Sequence, residues 1–283
     1  LSKLKKAFKF RKVVWISDRA YPKYNGGAER TDFVIREAGR KLGLKIDWTN
    51  DLPDRGYDLI VISNIHLWRE EKARELLLED TPTLFFSHDP LIHGWYPTAI
   101  RKAFASVFMS PAHRDFYTKK FHIKRMIVQP HGLLDTERWY SKERKKDYYL
   151  YVGDLNPYKG VQNIYKWAEE NPDKEVRVWG RNFAKFPFVA ENFKYYGWLD
   201  EKKLPDTLAE AKYFIHLPEQ IDPCPRMVTF ALFSGCTIIG NENIGSASYD
   251  WPWDDLEAVK EILRKAPREF WYKVNKFYRK ERR

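Results

Sequence analysis

Several loops in this chain carry residue types that could hold an anion or shift charge, and each follows a short apolar run. The most informative stretch is 213–245. The run Tyr213-Phe214-Ile215-His216-Leu217 stops at Pro218, and an acidic, proline-broken loop, Glu219-Gln220-Ile221-Asp222-Pro223-Cys224-Pro225-Arg226, follows it. Met227 to Phe233 is apolar at helical spacing, Ser234-Gly235 ends it, and Cys236-Thr237-Ile238-Ile239 reads as another buried strand. In an open parallel sheet the loop after a strand's carboxyl end is where ligands sit. The helix N-terminus there offers unsatisfied N–H groups to an anion. Asp222 and Arg226 stand in that loop, and a salt bridge between Arg226 and Asp222 or Glu219 is as compatible with the spacing as a role in ligand binding. Upstream, Gly26-Gly27 falls between a strand and a helix, where a missing Cβ lets backbone approach a ligand, although any tight turn would use the same pair. His88 ends a strand, and on its own such a histidine does no more than satisfy loop backbone. Lys159, in the turn Gly153–Gly160, would by itself be a solvated lysine.

The elements that must position these groups follow from hydrophobic period. Residues 13–17 predict a first strand, and the helix after Gly27 carries Phe33, Val34, Ala38 and Leu42 on one face. Strands are expected at 45–48, 59–63 and 83–86, with a helix over 71–78 between the last two. Residues 103–109 read as a helix end and a short strand, and a helix starts at Ser110-Pro111. A strand and turn over 126–132 close a first domain, 1–132. Residues 133–147, rich in charge and without apolar period, predict a linker. A second domain, 148–264, opens with a strand at 148–152 and continues with a strand and turn at 176–180. Asp200 is the expected N-cap of a helix before the 213–245 unit. A helix over 256–264 precedes a separate basic amphipathic segment, 265–283, with Phe270, Trp271, Val274, Phe277 and Tyr278 on one face. His66 and His93 read as structural or surface groups.

At 283 residues the chain can bury one large core or two modest ones, and 43% apolar content argues for a packed globule over a disordered chain. No apolar run approaches the roughly 20 residues needed to cross a bilayer, and no secretory signal is visible. Two cysteines, Cys224 and Cys236, make neither a disulfide framework nor a metal cluster, which suits a reducing cytoplasm. The net charge of +11 is concentrated at the ends: residues 1–12 contribute +6 and residues 264–283 contribute +7, so the body between is slightly acidic. Attraction to a polyanion therefore belongs to the ends, where Leu4, Ala7 and Phe8 also sit at one-turn spacing among lysines.

These motifs together resemble the GT-B glycosyltransferases, in particular the large retaining family that uses nucleotide-activated sugars. In the 213–245 unit Pro218, Ala231 and Gly235 match that family's donor-site signature, Asp222 takes the first carboxylate position, and Phe230 stands where a second glutamate belongs. Gly153-Asp154-Leu155-Asn156-Pro157-Tyr158-Lys159-Gly160 is similar to its Gly-Arg-Leu-x-x-x-Lys-Gly turn, with Asp154 in the arginine position. Gly26-Gly27-Ala28-Glu29 resembles its N-terminal loop, Pro130-His131-Gly132 its domain-closing turn, and 193–199 the segment whose backbone edges read the nucleobase. The resemblance implies an α/β, GT-B architecture: two Rossmann-like domains facing a central cleft, with a C-terminal helix crossing back to the N-terminal domain.

It implies a glycosyltransferase that moves a hexosyl group from a UDP- or GDP-sugar with retention, without metal and without a further cofactor. The implied catalytic residues are His88, beside the transferred sugar, Asp222, on sugar hydroxyls, and Lys159, on the leaving diphosphate. The donor would be bound by Gly27, Gly153, Lys159, Gly180, Arg181, Tyr196, Gly197, Trp198, Asp222, Arg226 and Met227, and the acceptor by Gly26, Gly27, Glu29 and His88. Asp154 would repel the donor anion, and Arg226 could replace the lost arginine. The basic ends suggest an anionic surface, a membrane or lipid-linked acceptor in preference to nucleic acid, hence a cytoplasmic and peripheral protein. The losses at 154 and 230 leave a second reading open, an inactive GT-B shell that binds a sugar nucleotide or glycan.

Overall fold

The computed structural model describes residues 8–281 except 134, 183, 184, 186 and 188, so Leu4 and Ala7 of the basic N-terminal segment lie outside the described residues. The chain divides into two compact units, Leu1–Leu134 with Val259–Arg283, and Asp135–Ala258.

The first unit is built on a six-stranded sheet of order β2-β1-β3-β4-β5-β6. Its strands are β1 (Lys12–Ile16), β2 (Lys45–Thr49), β3 (Leu59–Ile62), β4 (Thr83–Phe86), β5 (Ala105–Phe108) and β6 (Met126–Val128). All neighbours are parallel. Parallel strands are covered on both faces, so they read as continuous apolar runs, and Leu59–Ile62 and Thr83–Phe86 are buried at every position. Helices α1 (Gly27–Lys41), α2 (Glu70–Leu76), α3 (Tyr96–Lys102) and α4 (Pro111–Thr118) belong to this unit. Ser110 caps α4 by accepting from the His113 N–H at 3.2 Å.

The second unit holds a five-stranded sheet of order β11-β10-β7-β8-β9, again all parallel. Its strands are β7 (Lys146–Val152), β8 (Val176–Trp179), β9 (Phe193–Tyr195), β10 (Ala211–His216) and β11 (Thr237–Gly240). Helices α5 (Val161–Glu170), α6 (Leu204–Glu210) and α7 (Arg226–Phe233) complete it. In both sheets the chain lays strands to one side of a central strand and then crosses to the other. That leaves a topological switch point between β1 and β3 in the first unit and between β7 and β10 in the second.

The structure revises three expectations. Residues 135–147 are not a loose linker: they belong to the second unit, which ends at Ala258 instead of residue 264. Lys145 Nζ donates to the carbonyls of Ala209, Ala211 and Ser234, and the Trp139 ring stacks on Phe230 at 3.9 Å. Charged residues without period can still be tied to backbone carbonyls, and that bonding leaves no trace in hydrophobic period. Asp200 does not cap α6, whose N-cap is Lys203; its carboxylate accepts from the Lys202 N–H in the preceding turn.

Finally, the last two expected segments form one helix, α8 (Leu256–Glu281), which runs through Pro267. A proline there leaves the carbonyl four residues back unmatched. That carbonyl, Leu263 O, accepts from the Leu133 N–H at 3.3 Å, and Gln129 Nε2 donates to Ala266 O at 3.0 Å, so the first unit repairs the break. The aromatic face of α8 is core: Phe270, Trp271 and Val274 are fully buried, and Trp271 Nε1 donates to Ile35 O at 2.8 Å. Phe8 stacks on Tyr272 and the Lys9 N–H donates to Asn275 Oδ1, so the described part of the basic N-terminal segment lies along α8.

Candidate functional site

In the second unit the predicted groups gather at the β7–β10 switch point. The turn after β7 is held by Asn156, whose side-chain oxygen accepts from the Lys159 N–H at 2.9 Å and so closes a 3-10 turn over Pro157–Lys159. Gly160 follows with φ of +74°, and a Cβ there would lie 1.8 Å from Leu217 O. Only glycine lets this turn press against the loop after β10. The consequence is that Lys159 reaches that loop: its Nζ lies 2.8 Å from Asp222 Oδ2. His216, the last residue of β10, donates from Nε2 to the same oxygen at 2.9 Å. Asp222 is itself fixed by backbone, its N–H donating to Asn243 O and its carbonyl accepting from the Gly245 N–H.

Burial works to raise the Asp222 carboxyl, but the Lys159 charge and the His216 hydrogen bond outweigh it and hold the group well below the usual carboxylate range. Lys159 thus spends its charge on Asp222, where the two had been assigned to diphosphate and sugar separately. His216 is a site residue that sequence reading passed over. Its signal was a histidine ending an apolar strand six residues before the carboxylate.

Beside this set, Asp154 is engaged by Arg181, whose Nε and Nη2 donate to its two carboxylate oxygens at 2.9 and 3.0 Å. The expected repulsion of an anion by Asp154 is therefore corrected: its charge is met by a cation from the loop after β8, in the bidentate geometry that arginine favours. The loops are also laced by backbone, Gly153 N–H to Trp179 O, Leu155 N–H to Arg181 O and Gly180 N–H to Gly197 O. Gly180, at φ +151°, has Gly153 O where a Cβ would stand, 1.7 Å away. Tyr196 stacks on Trp179 at 4.8 Å, and the Arg181 guanidinium lies 5.7 Å from the ring centre of Trp198, which is 67% exposed. Arg181, Tyr196, Gly197 and Trp198 thus form one aromatic and cationic patch at the carboxyl ends of β8 and β9.

Arg226 and Met227 are the first two residues of α7, so they stand at its N-terminus. Phe230, in the same helix, is buried under Trp139. No carboxylate occupies the position that the resemblance assigns to a ribose contact.

In the first unit His88, just beyond β4, is buried, and its Nε2 lies 2.8 Å from Asp32 Oδ1 and 3.1 Å from Ser63 Oγ. Asp32 also accepts from Trp15 Nε1 and Ser63 Oγ. A carboxylate with three polar neighbours fixes the orientation of the His88 ring. Asp32 was not anticipated; as a carboxylate on the face of α1 that also buries Val34 and Ile35, it breaks the apolar period. Gly26 is the N-cap of α1 and Gly27 its first residue, yet the space beside Gly26 is taken by this chain's own Glu29, with Oε2 2.2 Å from where a Cβ would stand. Burial raises the Glu29 carboxyl, with Asp32 adding to the rise.

No protein-family model matches the sequence, and no curated protein matches it. Solved structures do match, over nearly the whole chain. Sucrose-phosphate synthase from Thermosynechococcus elongatus superposes with a TM-score of 0.65 at 12% identity, over 95% of this chain and 94% of that one. The lipopolysaccharide outer core galactosyltransferase WaaB, in its apo form, gives 0.65 at 12%, over 95% and 99%. HepE from Anabaena, solved with UDP-glucose, gives 0.59 at 12%, over 95% and 98%. The chain has the GT-B fold. At these identities the GT-B likeness concerns architecture, and the chemistry has to be argued from the residues above.

Proposed function

We propose that this GT-B protein transfers a hexosyl group from a UDP- or GDP-sugar to an acceptor hydroxyl, with retention and without a metal ion. The observation that carries the reading is the Lys159–Asp222–His216 set at the switch point of the second unit, on a fold shared with HepE, which was crystallised with UDP-glucose. A donor diphosphate arriving there competes with Asp222 for the Lys159 ammonium. Lys159 then stabilises the charge that grows on the diphosphate as its bond to the sugar's anomeric carbon breaks. Asp222, still oriented by His216, is released to hold sugar hydroxyls. Arg181, anchored by Asp154, adds a second cation, and Tyr196 and Trp198 offer faces for the base. Asp32 orients His88 within the first unit, and, as the bond to the diphosphate breaks, the acceptor oxygen bonds the anomeric carbon and its proton passes to the departing diphosphate.

The exposed residues Arg268, Lys273, Lys276, Arg279 and Lys280 of α8, with Lys9 and Arg11, support an anionic partner. We assign it to a membrane carrying a lipid-linked acceptor, which makes the protein cytoplasmic and peripheral. Among the described residues no helix is long and apolar enough to cross a membrane.

The test is thermal shift with UDP- and GDP-hexoses, followed by detection of released nucleoside diphosphate in the presence of EDTA. A stabilising donor and released diphosphate are expected, with release lost in Lys159→Ala. The Phe230–Trp139 stack favours a second reading, a shell that binds the donor without turning it over. Stabilisation with no release under any acceptor would select that reading, and no response to any nucleotide would overturn both.

A further inference from the structure

Lys159 and His216 both hold Asp222, and the mechanism above moves one of them away. Lys159 Nζ and His216 Nε2 lie 2.8 and 2.9 Å from the same oxygen, Oδ2, of a carboxylate that is 6% exposed. Lys159, 40% exposed, is free to swing toward a donor diphosphate, while His216, buried at the end of β10, stays where it is. A buried carboxylate that loses its counter-charge is strongly destabilising, so the charge has to be replaced. The surroundings leave His216 as the group able to replace it. Behind it the Tyr151 ring of β7 lies nearly parallel, with centroids 6.1 Å apart, and its hydroxyl donates to Asp154 O at 3.1 Å. Burial, with Asp222 and Asp154 adding to it, pushes the Tyr151 phenol far above its ordinary value, so it stays neutral. Asp154 is already matched by Arg181 through two hydrogen bonds. From β11, Gly240 lies opposite His216 in register and brings no charge. Glu219 and Glu242, exposed in the neighbouring loops, add negative charge and relieve nothing. Arg226 opens α7 four residues beyond Asp222, but the groups that lower the Asp222 carboxyl against its burial are Lys159 and His216.

We infer that His216 takes up a proton each time the donor draws Lys159 away from Asp222, so that donor binding to the second unit is coupled to protonation. The inference rests on the transferase reading for the donor, and on this geometry for the coupling. The proton comes from solvent. Nε2 keeps its own hydrogen pointed at Asp222 Oδ2, and the second ring nitrogen takes the new one. The imidazolium so formed restores a positive charge beside the carboxylate. The competing acceptor is Asp222 itself. A free imidazole holds its proton up to about pH 6.5 and a free aspartate only to about 3.9, so the proton goes to the stronger base. That choice also leaves Asp222 ionised, with its lone pairs available to sugar hydroxyls. His216 is thus a positioning residue whose charge, and not only its hydrogen bond, decides whether Lys159 can be released. The coupling has a definite sign: a site that gains a proton on binding holds its ligand less tightly as the pH rises.

The experiment is isothermal titration calorimetry of the whole protein with UDP- and GDP-hexoses, at about pH 7.5, in PIPES and in Tris, whose ionisation enthalpies differ. A nucleotide sugar is the right probe because its diphosphate, esterified at both ends, does not itself titrate near neutrality. Wild type is expected to take up about 0.5–1 proton per donor bound, and its affinity to fall about threefold to tenfold between about pH 7.5 and 8.5. His216→Gln is the informative variant, since its amide can still donate to Asp222 but takes no proton. In it the uptake is expected to vanish, and the affinity to change by less than about twofold over the same range. A histidine that only orients Asp222 would give no uptake in wild type and the same pH profile in both proteins. A second reading needs no variant: in wild-type protein with labelled histidine, the His216 Cε1–H resonance should move toward its imidazolium position when donor is added. A resonance that stays in place overturns the inference. Wild type that binds a donor with no proton uptake overturns it too, and leaves the transferase reading standing. Uptake that persists in His216→Gln puts the proton on another group and overturns it as well. A protein that binds no nucleotide sugar sinks the transferase reading, and this inference with it.

Discussion

Lys159 and Asp222 face each other across a boundary between a partly wet side chain and a dry one. Lys159 is 40% exposed while Asp222 is 6% exposed, so removing the lysine strands a buried carboxylate with only His216 for support. Breaking a buried ion pair costs about 3–5 kcal/mol, and an exposed one contributes about 0.2–1 kcal/mol. Lys159→Met should therefore lower the second unit's stability by about 1–3 kcal/mol, measured by urea unfolding, and the loss should shrink in the double variant with Asp222→Asn. The pH dependence has a definite sign. Asp222 is depressed in the folded state, so its contribution is fully present above the unfolded carboxylate value of about 3.9 and is lost as the pH falls below it. Wild-type stability should drop more steeply than that of Asp222→Asn between about pH 4 and pH 2. At this scale the glycines, Lys159 and Asp222 were legible because a turn has to use those residue types at fixed spacing. The partners that hold these groups, His216 for Asp222, Arg181 for Asp154 and Asp32 for His88, lie 6, 27 and 56 residues away in the chain. Only the His216 pair is close enough in the chain to leave a local signal; the other two leave none.

Elements were easier to read where burial sets a period. Every strand of the first sheet falls within two residues of its expected place, most plainly the interior strands β3 and β4, which are covered on both faces and buried at every position. The failures came where tertiary contacts replaced local signals. Pro267 ought to have broken α8, and Leu133 and Gln129 supply what the proline removes. Residues 135–147 have no period, since their bonds run from charged side chains to carbonyls of the second unit. A test belongs to α8 itself. Trp271 is fully buried against Trp15, Phe10 and Phe270, and large-to-small changes at such aromatic positions cost about 3–5 kcal/mol. Trp271→Ala should lower the melting temperature of the first unit by an amount that Trp271→Phe largely restores. Because the second unit has its own core, UDP binding there is expected to persist below that transition.

At the level of the whole chain the charge asymmetry seen in the sequence acquires a shape. The aromatic half of α8 is core, so its basic half is a ridge on the surface of the first unit, about 24 Å long from residue 264 to 280 at the usual helical rise. Phe8 and Lys9 lie along the same helix, which adds N-terminal cations to C-terminal ones. Each lysine or arginine close to an anionic leaflet contributes about 1 kcal/mol. Replacing Arg268, Lys276, Arg279 and Lys280 with glutamine should then weaken binding to vesicles containing phosphatidylserine by up to about 10³-fold, the equivalent of about 4 kcal/mol. None of the four is buried, so the melting temperature should hold. Wild-type flotation should fall as salt rises from 0.1 to 1 M, because the screening length shortens from about 10 to about 3 Å. The surface also suits the phosphates of a nucleic acid in charge alone, and the same two salt concentrations applied to DNA retention separate the cases. DNA retention that is stronger than flotation, and equally sensitive to the four substitutions, would move the acceptor from a lipid to a nucleic acid while leaving the donor chemistry of the second unit untouched.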